Sequence, residues 1–447
     1  MHQVDIIAGS QYVLETSVYL FAALITALFP TLYLLNYRRS KKSAAKKRED
    51  AISRGLTEPA SLHPVIDPTR CIGTAACVPV CPEGHIIGII EGRAELVSPT
   101  KCIGHGACEA SCPVEAISLV FGSERRGVEL PYVNERFETN VPGIYIAGEL
   151  GGMGLIRNAI TQGSSAVDYI KESLGGKRDN GVLDLVIVGA GPAGISASLE
   201  AIKHGLKFRT LEQDDVGGTV LSYPRQKLVM TQPMEIPLYG KVKFREILKE
   251  ELIDLWTDVT RKSGLEVTTG EKVESIENDG KLFRVHASNV EYSCRRVLLT
   301  IGRRGTPRKL GVPGERSSKV AYKLLEPEQY KGKHVLVVGG GDSAIEAAVS
   351  LAEQKGTVVT LSYRKDVFSR LKEKNEQRIE EAMRTDRVHV LFESSVQEVR
   401  REDVKLEYDG QKYKLRNDYL FVFIGGEMPT EFLRQAGISI VKKFGER

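Results

Sequence analysis

The sequence predicts an α/β protein in which two parallel strand–helix–strand units follow a small cysteine-rich α+β domain and one N-terminal transmembrane helix. Three observations predict it. Ser17 to Leu35 runs without a charge, close to the roughly 20 residues a helix needs to cross a bilayer. Six of the seven cysteines fall between Cys71 and Cys112, in two copies of one pattern. Beyond Gly122, short β-branched runs are each followed by glycines and a helical stretch, as at Leu185 to Val188 and Val335 to Val338, which is how parallel βαβ units read. A chain of 447 residues is too long for one core, and its 42% hydrophobic and 27% charged residues are globular proportions. The net charge of +4 is small and gathers in Arg38, Arg39, Lys41, Lys42, Lys46, Lys47 and Arg48, so nucleic-acid binding is not expected.

Taken from the N-terminus, residues 1–37 are expected to hold the membrane helix, with Pro30 free to kink it. The basic cluster follows the apolar run, whereas a cleaved signal peptide carries its positive charge ahead of it. An uncleaved single-pass anchor in the inner (cytoplasmic) membrane is therefore expected, with the bulk of the chain cytoplasmic because positive residues stay inside. Residues 38–63 read as a solvated basic tether. In residues 64–122 the pattern Cys71-Ile72-Gly73 to Cys81-Pro82 recurs as Cys102-Ile103-Gly104 to Cys112-Pro113, implying two pseudo-symmetric sites. A reducing compartment makes metal ligation, not disulfides, the expected use of these thiols. Cys294, alone in an apolar stretch, reads as a buried strand residue.

Two glycine fingerprints follow. The first, Gly189-Ala190-Gly191-Pro192-Ala193-Gly194, directly succeeds Leu185-Val186-Ile187-Val188, and Glu212 closes the next strand, Phe208 to Leu211. A strand before, a helix after and an acid at that distance are the Rossmann-like context in which the glycines admit a pyrophosphate and the carboxylate accepts from ribose hydroxyls. The second, Gly339-Gly340-Gly341-Asp342-Ser343-Ala344, follows His334 to Val338. There the position equivalent to Glu212 is Ser362, followed by Tyr363, Arg364 and Lys365. Cations in place of a carboxylate suit the 2′-phosphate of NADP, with NAD left open.

On these and further segments, residues 183–447 resemble the thioredoxin-reductase-like FAD/NAD(P) flavoprotein family. Those segments are Gly217-Gly218-Thr219, Val297 to Arg303 with Gly302, Pro307, Gly311 to Glu315, and Phe421 to Gly426. The resemblance implies FAD in the first site, with Gly189, Gly191, Gly194, Glu212, Gly218, Thr219 and Gly302 around it. It implies NADP in the second, with Gly339, Gly341, Ser343, Arg364 and Lys365. The family's C-x-x-C is absent, since Val320 to Lys331 holds no cysteine, so an internal thiol pair is ruled out and direct flavin chemistry is left. The family closes its FAD domain with a C-terminal strand and helix. In this sequence the segment similar to that closure comes first, at Phe137 to Glu149 and Gly151 to Gly163, with Gly148, Glu149, Leu155 and Ile156 at the matching flavin positions. Glu149 stands where the family carries aspartate. The expected arrangement is a circularly permuted FAD domain: 123–174 as closing segment, a linker at Gly175 to Gly181, 183–303 as FAD domain, 304–426 as NAD(P) domain, and 427–447 returning to the FAD domain.

Residues 64–122 resemble bacterial two-cluster ferredoxins, in which each C-x-x-C-x-x-C-x-x-x-C-P run lends its fourth cysteine to the other cluster. Here the runs read Cys71, Thr74, Cys77, Cys81 and Cys102, His105, Cys108, Cys112. The crossed pairing gives Cys71, Cys77 and Cys112 to one site and Cys81, Cys102 and Cys108 to the other. Three thiolates suit a 3Fe-4S cluster, or a 4Fe-4S cluster completed by a non-thiolate ligand, for which His105 is a candidate. A metal-free or zinc-bound relic is the bland alternative. The function expected is electron transfer among NADPH, FAD and iron–sulfur clusters to an unidentified acceptor, or from a donor in reverse. Its rivals are direct flavin reduction of a small disulfide or quinone, and a non-catalytic redox sensor or docking module. No catalytic side chain is named by the sequence, and a homodimer is left open.

Overall fold

The computed structural model describes residues 2–446 apart from 60–61, 153, 176–180, 224, 226, 245, 304–305 and 370, with backbone alone for 2–18, 20, 23, 33, 228, 230 and 306. The expected linker thus lies largely outside the described residues. The chain divides into two compact units, 1–120 and 121–446.

In the first unit, His2–Ser53 is one continuous helix that carries both the uncharged run and the basic cluster. Among the described residues no helix is long and apolar enough to cross a membrane. The expected transmembrane helix is corrected on that finding, and with it the single-pass membrane attachment and the inner-membrane localisation. Tyr19, Thr26, Pro30 and Thr31 dilute the apolar run, and the two threonine hydroxyls donate to the carbonyls of Ala22 and Ala27 at 2.7 Å. The basic stretch is not a tether either. Ala44 is buried with Ile90 and Val97, and Arg48 pairs with Glu95 at 3.1 Å, so the end of the helix packs on the hairpin Ile87–Ile90 and Arg93–Leu96. Small residues permit the contact: a side chain on Gly88 would sit 2.6 Å from the Ala44 methyl. Leu62–Ile66 pairs with Ile117–Phe121 beside that hairpin.

The second unit holds two sheets. Leu183–Val188 lies between Phe208–Leu211 and Glu291–Leu299, all parallel where they meet. The long strand Glu291–Leu299 also leads an antiparallel meander with Phe283–Ala287 and Val273–Asn278. Ile144–Ile146 joins this sheet parallel to Val297–Leu299. Nearly continuous burial of Leu183–Val188 is what a strand covered on both faces requires. One cover is the pair of helices Ile156–Leu174 and Pro192–Lys203, joined by a 2.7 Å hydrogen bond from the Ser196 hydroxyl to the Ile160 carbonyl. The other cover includes Leu433 and Ile438, which share a core with Val186 and Val297. Cys294 is fully buried in that core, as expected. The second sheet is parallel in the order Val320–Ala321, Tyr419–Val422, His334–Val338, Val358–Ser362, Val388–Leu391, with Asp342–Ala352 as its first crossover helix.

Candidate redox site

The first fingerprint is a turn that only glycine can make. Gly189 takes φ +103°, and a side chain there would meet the Thr300 carbonyl oxygen at 2.7 Å. A side chain on Gly194 would collide with the Gly189 carbonyl oxygen. At Gly191, the first residue before the helix, a methyl group would enter open space whose nearest atom is the Gly218 Cα, 3.9 Å away. Two glycine loops thus leave a hollow at a helix N-terminus, where backbone N–H groups and the helix dipole favour a pyrophosphate. Glu212 is 7% exposed; its Oε2 accepts from the Ala190 N–H at 2.7 Å and its Oε1 from the Asp214 N–H at 3.0 Å. A carboxylate has about four acceptor positions, so it keeps capacity for ribose hydroxyls. Thr219 is exposed beside this hollow and Gly302 sits at φ +67° just past Thr300.

Gly148, far upstream in sequence, comes to the same place. Its backbone, at φ +85°, leaves room for a Cβ only 3.0 Å from the Ala193 methyl, and its N–H donates to Gln162 Oε1 at 2.8 Å. Glu149 is half-buried and lies against Gly154, just ahead of the helix that Leu155 caps and Ile156 begins.

The second fingerprint is built alike and lined differently. Gly339 takes φ +146°, and nothing lies within 4 Å of a methyl group placed on Gly341. Ser343 is exposed in the first helical turn, while Asp342 Oδ1 is engaged by the Lys372 N–H and the Asn375 amide. Where the first site offers Glu212, Ser362 is withdrawn into the interior and its hydroxyl meets that of Ser394 at 2.7 Å. That position offers no carboxylate to the second hollow. Arg364 and Lys365 are exposed, with no side-chain hydrogen bond or ion pair among the described residues. The Tyr363 ring covers Gly340 so closely that any side chain there would collide with it, and it stacks on Phe368 at 5.4 Å between centroids.

In the first unit the six repeat cysteines are free thiols in two hollows. Cys71, Cys77 and Cys112 line one, with Thr74; Cys81, Cys102 and Cys108 line the other, with Glu83 and His105. This is the crossed grouping. The matching glycines Gly73 and Gly104 both take left-handed φ, +70° and +73°, where close backbone neighbours leave no room for a side chain. Backbone N–H groups of Ala94 and Ala116 point at Cys71 Sγ and Cys112 Sγ at 3.4 and 3.2 Å, the kind of donor that stabilises cluster thiolates. Burial pushes the Cys77 thiol up to about 11 and the Cys102 thiol up to about 12, so metal uptake at these sites must release protons. Three convergent thiols per hollow fit an iron–sulfur group held by three cysteines.

Residues 186–445 match the model of the pyridine nucleotide-disulphide oxidoreductase family. The chain belongs to that family. Residues 63–113 match a 4Fe-4S dicluster domain. Among relatives, the chain is 30% identical over 266 residues to ferredoxin–NADP reductase of Ignicoccus hospitalis, covering 58% of this chain and 82% of that one. It is 30% identical over 258 residues to thioredoxin reductase of Bacillus subtilis, covering 55% and 74%. In structure it is similar to bacillithiol disulfide reductase of Bacillus cereus, with TM-score 0.54 and 24% identity over 57% of this chain and 82% of that one. The chain is accordingly an FAD-dependent NAD(P)H oxidoreductase with an iron–sulfur domain, and its cofactors are FAD, NADP and iron–sulfur clusters.

Sequence reasoning gave no role to four residues that shape the two hollows. Gln162 holds Gly148, and Thr300 donates from its hydroxyl to the Val188 and Gly189 carbonyls at 2.9 and 2.8 Å. Ser394 sequesters Ser362, and Tyr363 roofs Gly340. Only Tyr363 carried a signal, its place between Ser362 and the cations.

Proposed function

We propose that this chain moves electrons between NADPH and a one-electron partner, FAD supplying the step from hydride to single electrons and the iron–sulfur clusters supplying the outlet. The observation that carries the reading is the pairing, in one chain, of two dinucleotide hollows with two three-cysteine hollows and no cysteine between Val320 and Lys331 to form a substrate disulfide relay. Gly191, Gly218, Gly194 and Glu212 hold the FAD pyrophosphate and ribose. Gly148 and Glu149 approach from the preceding segment toward the ribityl side. Gly341 and Ser343 hold the NADP pyrophosphate, and Arg364 with Lys365 take the 2′-phosphate. The reverse direction, with the partner as donor, uses the same residues.

The circular permutation belongs to this reading. Ile144–Ile146 beside Val297–Leu299, and the helix Ile156–Leu174 against Pro192–Lys203, support it, since a strand and a helix that precede Leu183–Val188 in sequence pack against elements that follow it. The relatives named as ferredoxin–NADP reductases support a ferredoxin-type outlet carried within the chain itself. The test is anaerobic purification followed by the visible spectrum, flavin content, and iron and acid-labile sulfide content, then titration with NADPH. Bleaching of flavin followed by loss of cluster absorbance is expected. Flavin that bleaches while bound iron stays oxidised would overturn the outlet.

A further inference from the structure

We infer that the two iron–sulfur sites are chemically unequal, the Cys81, Cys102, Cys108 site holding a four-iron cluster completed by His105 with Glu83 as its positioning residue, and the Cys71, Cys77, Cys112 site holding a three-iron cluster. This rests on the reading that residues 64–122 bind clusters. Both runs have lost the cysteine that would be the second ligand, yet what replaces it differs. In one hollow the replacement is Thr74, whose hydroxyl accepts from the Ala76 N–H at 3.4 Å within its own turn. Around that hollow the remaining lining residues, Ile72, Gly73, Ala75, Ala94, Val114 and Ile117, are glycine or apolar. A neutral hydroxyl among apolar groups is a poor donor to iron, so this site offers three ligands and no more.

The other hollow is lined by an imidazole and a carboxylate. His105 and Glu83 side chains are only 9% and 10% exposed, and His105 Nε2 lies 3.6 Å from Glu83 Oε1. That is an ion-pair distance, about half an ångström longer than a hydrogen bond. An imidazole that binds a metal characteristically gives its other ring N–H to a carboxylate, which fixes the tautomer and raises the basicity of the ligating nitrogen. Glu83 follows Cys81 and Pro82 in sequence, and His105 lies between Cys102 and Cys108. The same two runs that supply the three thiolates therefore supply the fourth ligand and its partner. Imidazole in place of thiolate raises a cluster's reduction potential. Cluster type itself also sets potential, so the two sites differ in potential as well as in iron count.

The experiment uses the full chain, purified and reconstituted without oxygen, with iron counting, Mössbauer and electron paramagnetic resonance spectra, and ¹⁵N-histidine labelling. About seven irons per chain are expected, three and four, with a nitrogen coupling on one cluster only. His105→Ala is expected to drop the count to about six and to double the three-iron signal, whereas His105→Cys keeps the four-iron cluster and abolishes the nitrogen coupling. Thr74→Cys is expected to raise the count to about eight by completing the other site. Glu83→Gln is expected to keep the count and shift the potential of the nitrogen-coupled cluster upward, because a nearby negative charge that favours the oxidised form is removed. Two clusters of the same type, or a parent spectrum without nitrogen coupling, would overturn the inequality while leaving cluster binding intact. Protein that takes up no iron would overturn the cluster reading and this inference with it.

Discussion

At Gly191 a single hydrogen atom keeps the flavin hollow open, for the nearest atom to a Cβ there is 3.9 Å away. Gly191→Val is therefore expected to fold normally and to lose FAD, since its Cβ makes only an ordinary contact with the Gly218 Cα and its branches fill the pyrophosphate's space. Flavin content of the purified variant, with circular dichroism for the fold, checks this; parent stoichiometry would refute the site. Gly194→Ala is the contrasting case. Its methyl group would strike the Gly189 carbonyl, so it should cost about 1–3 kcal/mol of stability in urea titration whether or not flavin is present. At the second hollow, Arg364 and Lys365 are exposed and unpaired among the described residues. NADPH should reduce the flavin faster than NADH, and Arg364→Ala with Lys365→Ala should narrow the preference roughly tenfold per charged hydrogen bond lost. Equal rates in the parent would reject the assignment. The left-handed turns at Gly189 and Gly339 were legible in sequence because their signal is local. The Ser362–Ser394 contact was not, because it joins residues 32 positions apart through a fold the sequence only outlines.

Among the elements, the strands before each fingerprint could be read directly, since a strand buried on both faces is a continuous β-branched run. The upstream strand Ile144–Ile146 was legible only through its resemblance to a closing strand; three residues carry no periodicity of their own. The N-terminal helix shows the opposite failure. Charge order and an apolar run spoke for a membrane anchor, but Pro30 and the basic turns do not interrupt a helix that extends to Ser53. What the reading lacked was the contact of Ala44 with Ile90 and Val97, invisible because an alanine in a lysine-rich stretch looks solvated. The helix pair in the flavin unit yields a prediction of its own. Gly163 faces the Ala193 carbonyl with no room for a side chain, so Gly163→Val should force Ile156–Leu174 away from Pro192–Lys203. A loss of about 1–3 kcal/mol or more is expected, read as a lowered melting temperature together with weaker flavin retention. An unchanged melting temperature would mean that the close crossing is not required.

For the whole molecule the question is where electrons leave. Cys77→Ser with Cys108→Ser removes one thiolate from each three-thiol hollow, and neither cluster should survive the loss. Reduction of flavin by NADPH should be untouched, because that step uses the dinucleotide hollows alone. Reoxidation by a one-electron acceptor should slow sharply. Anaerobic stopped-flow of both half-reactions, with iron content alongside, measures the two effects separately. Unchanged reoxidation in the iron-free variant would turn the assignment toward direct flavin chemistry. The division into a cysteine unit and a dinucleotide unit could be foreseen from motifs, and His105 was a candidate ligand in sequence, whereas the Glu83 carboxylate beside it had to be seen in the structure.

Asn140 and Gly437 are hydrogen-bonded across 297 positions of sequence, and Val128–Pro131 pairs with Ile440–Lys443. On the ribosome this means that the flavin core cannot finish assembling when its first strand emerges. Its early pieces must wait, with apolar faces uncovered, while the more local second sheet from Val320 to Val422 is made. Long waits of that kind slow folding and invite aggregation, so the yield of active protein should respond to translation speed and chaperone supply more than its final stability alone would indicate.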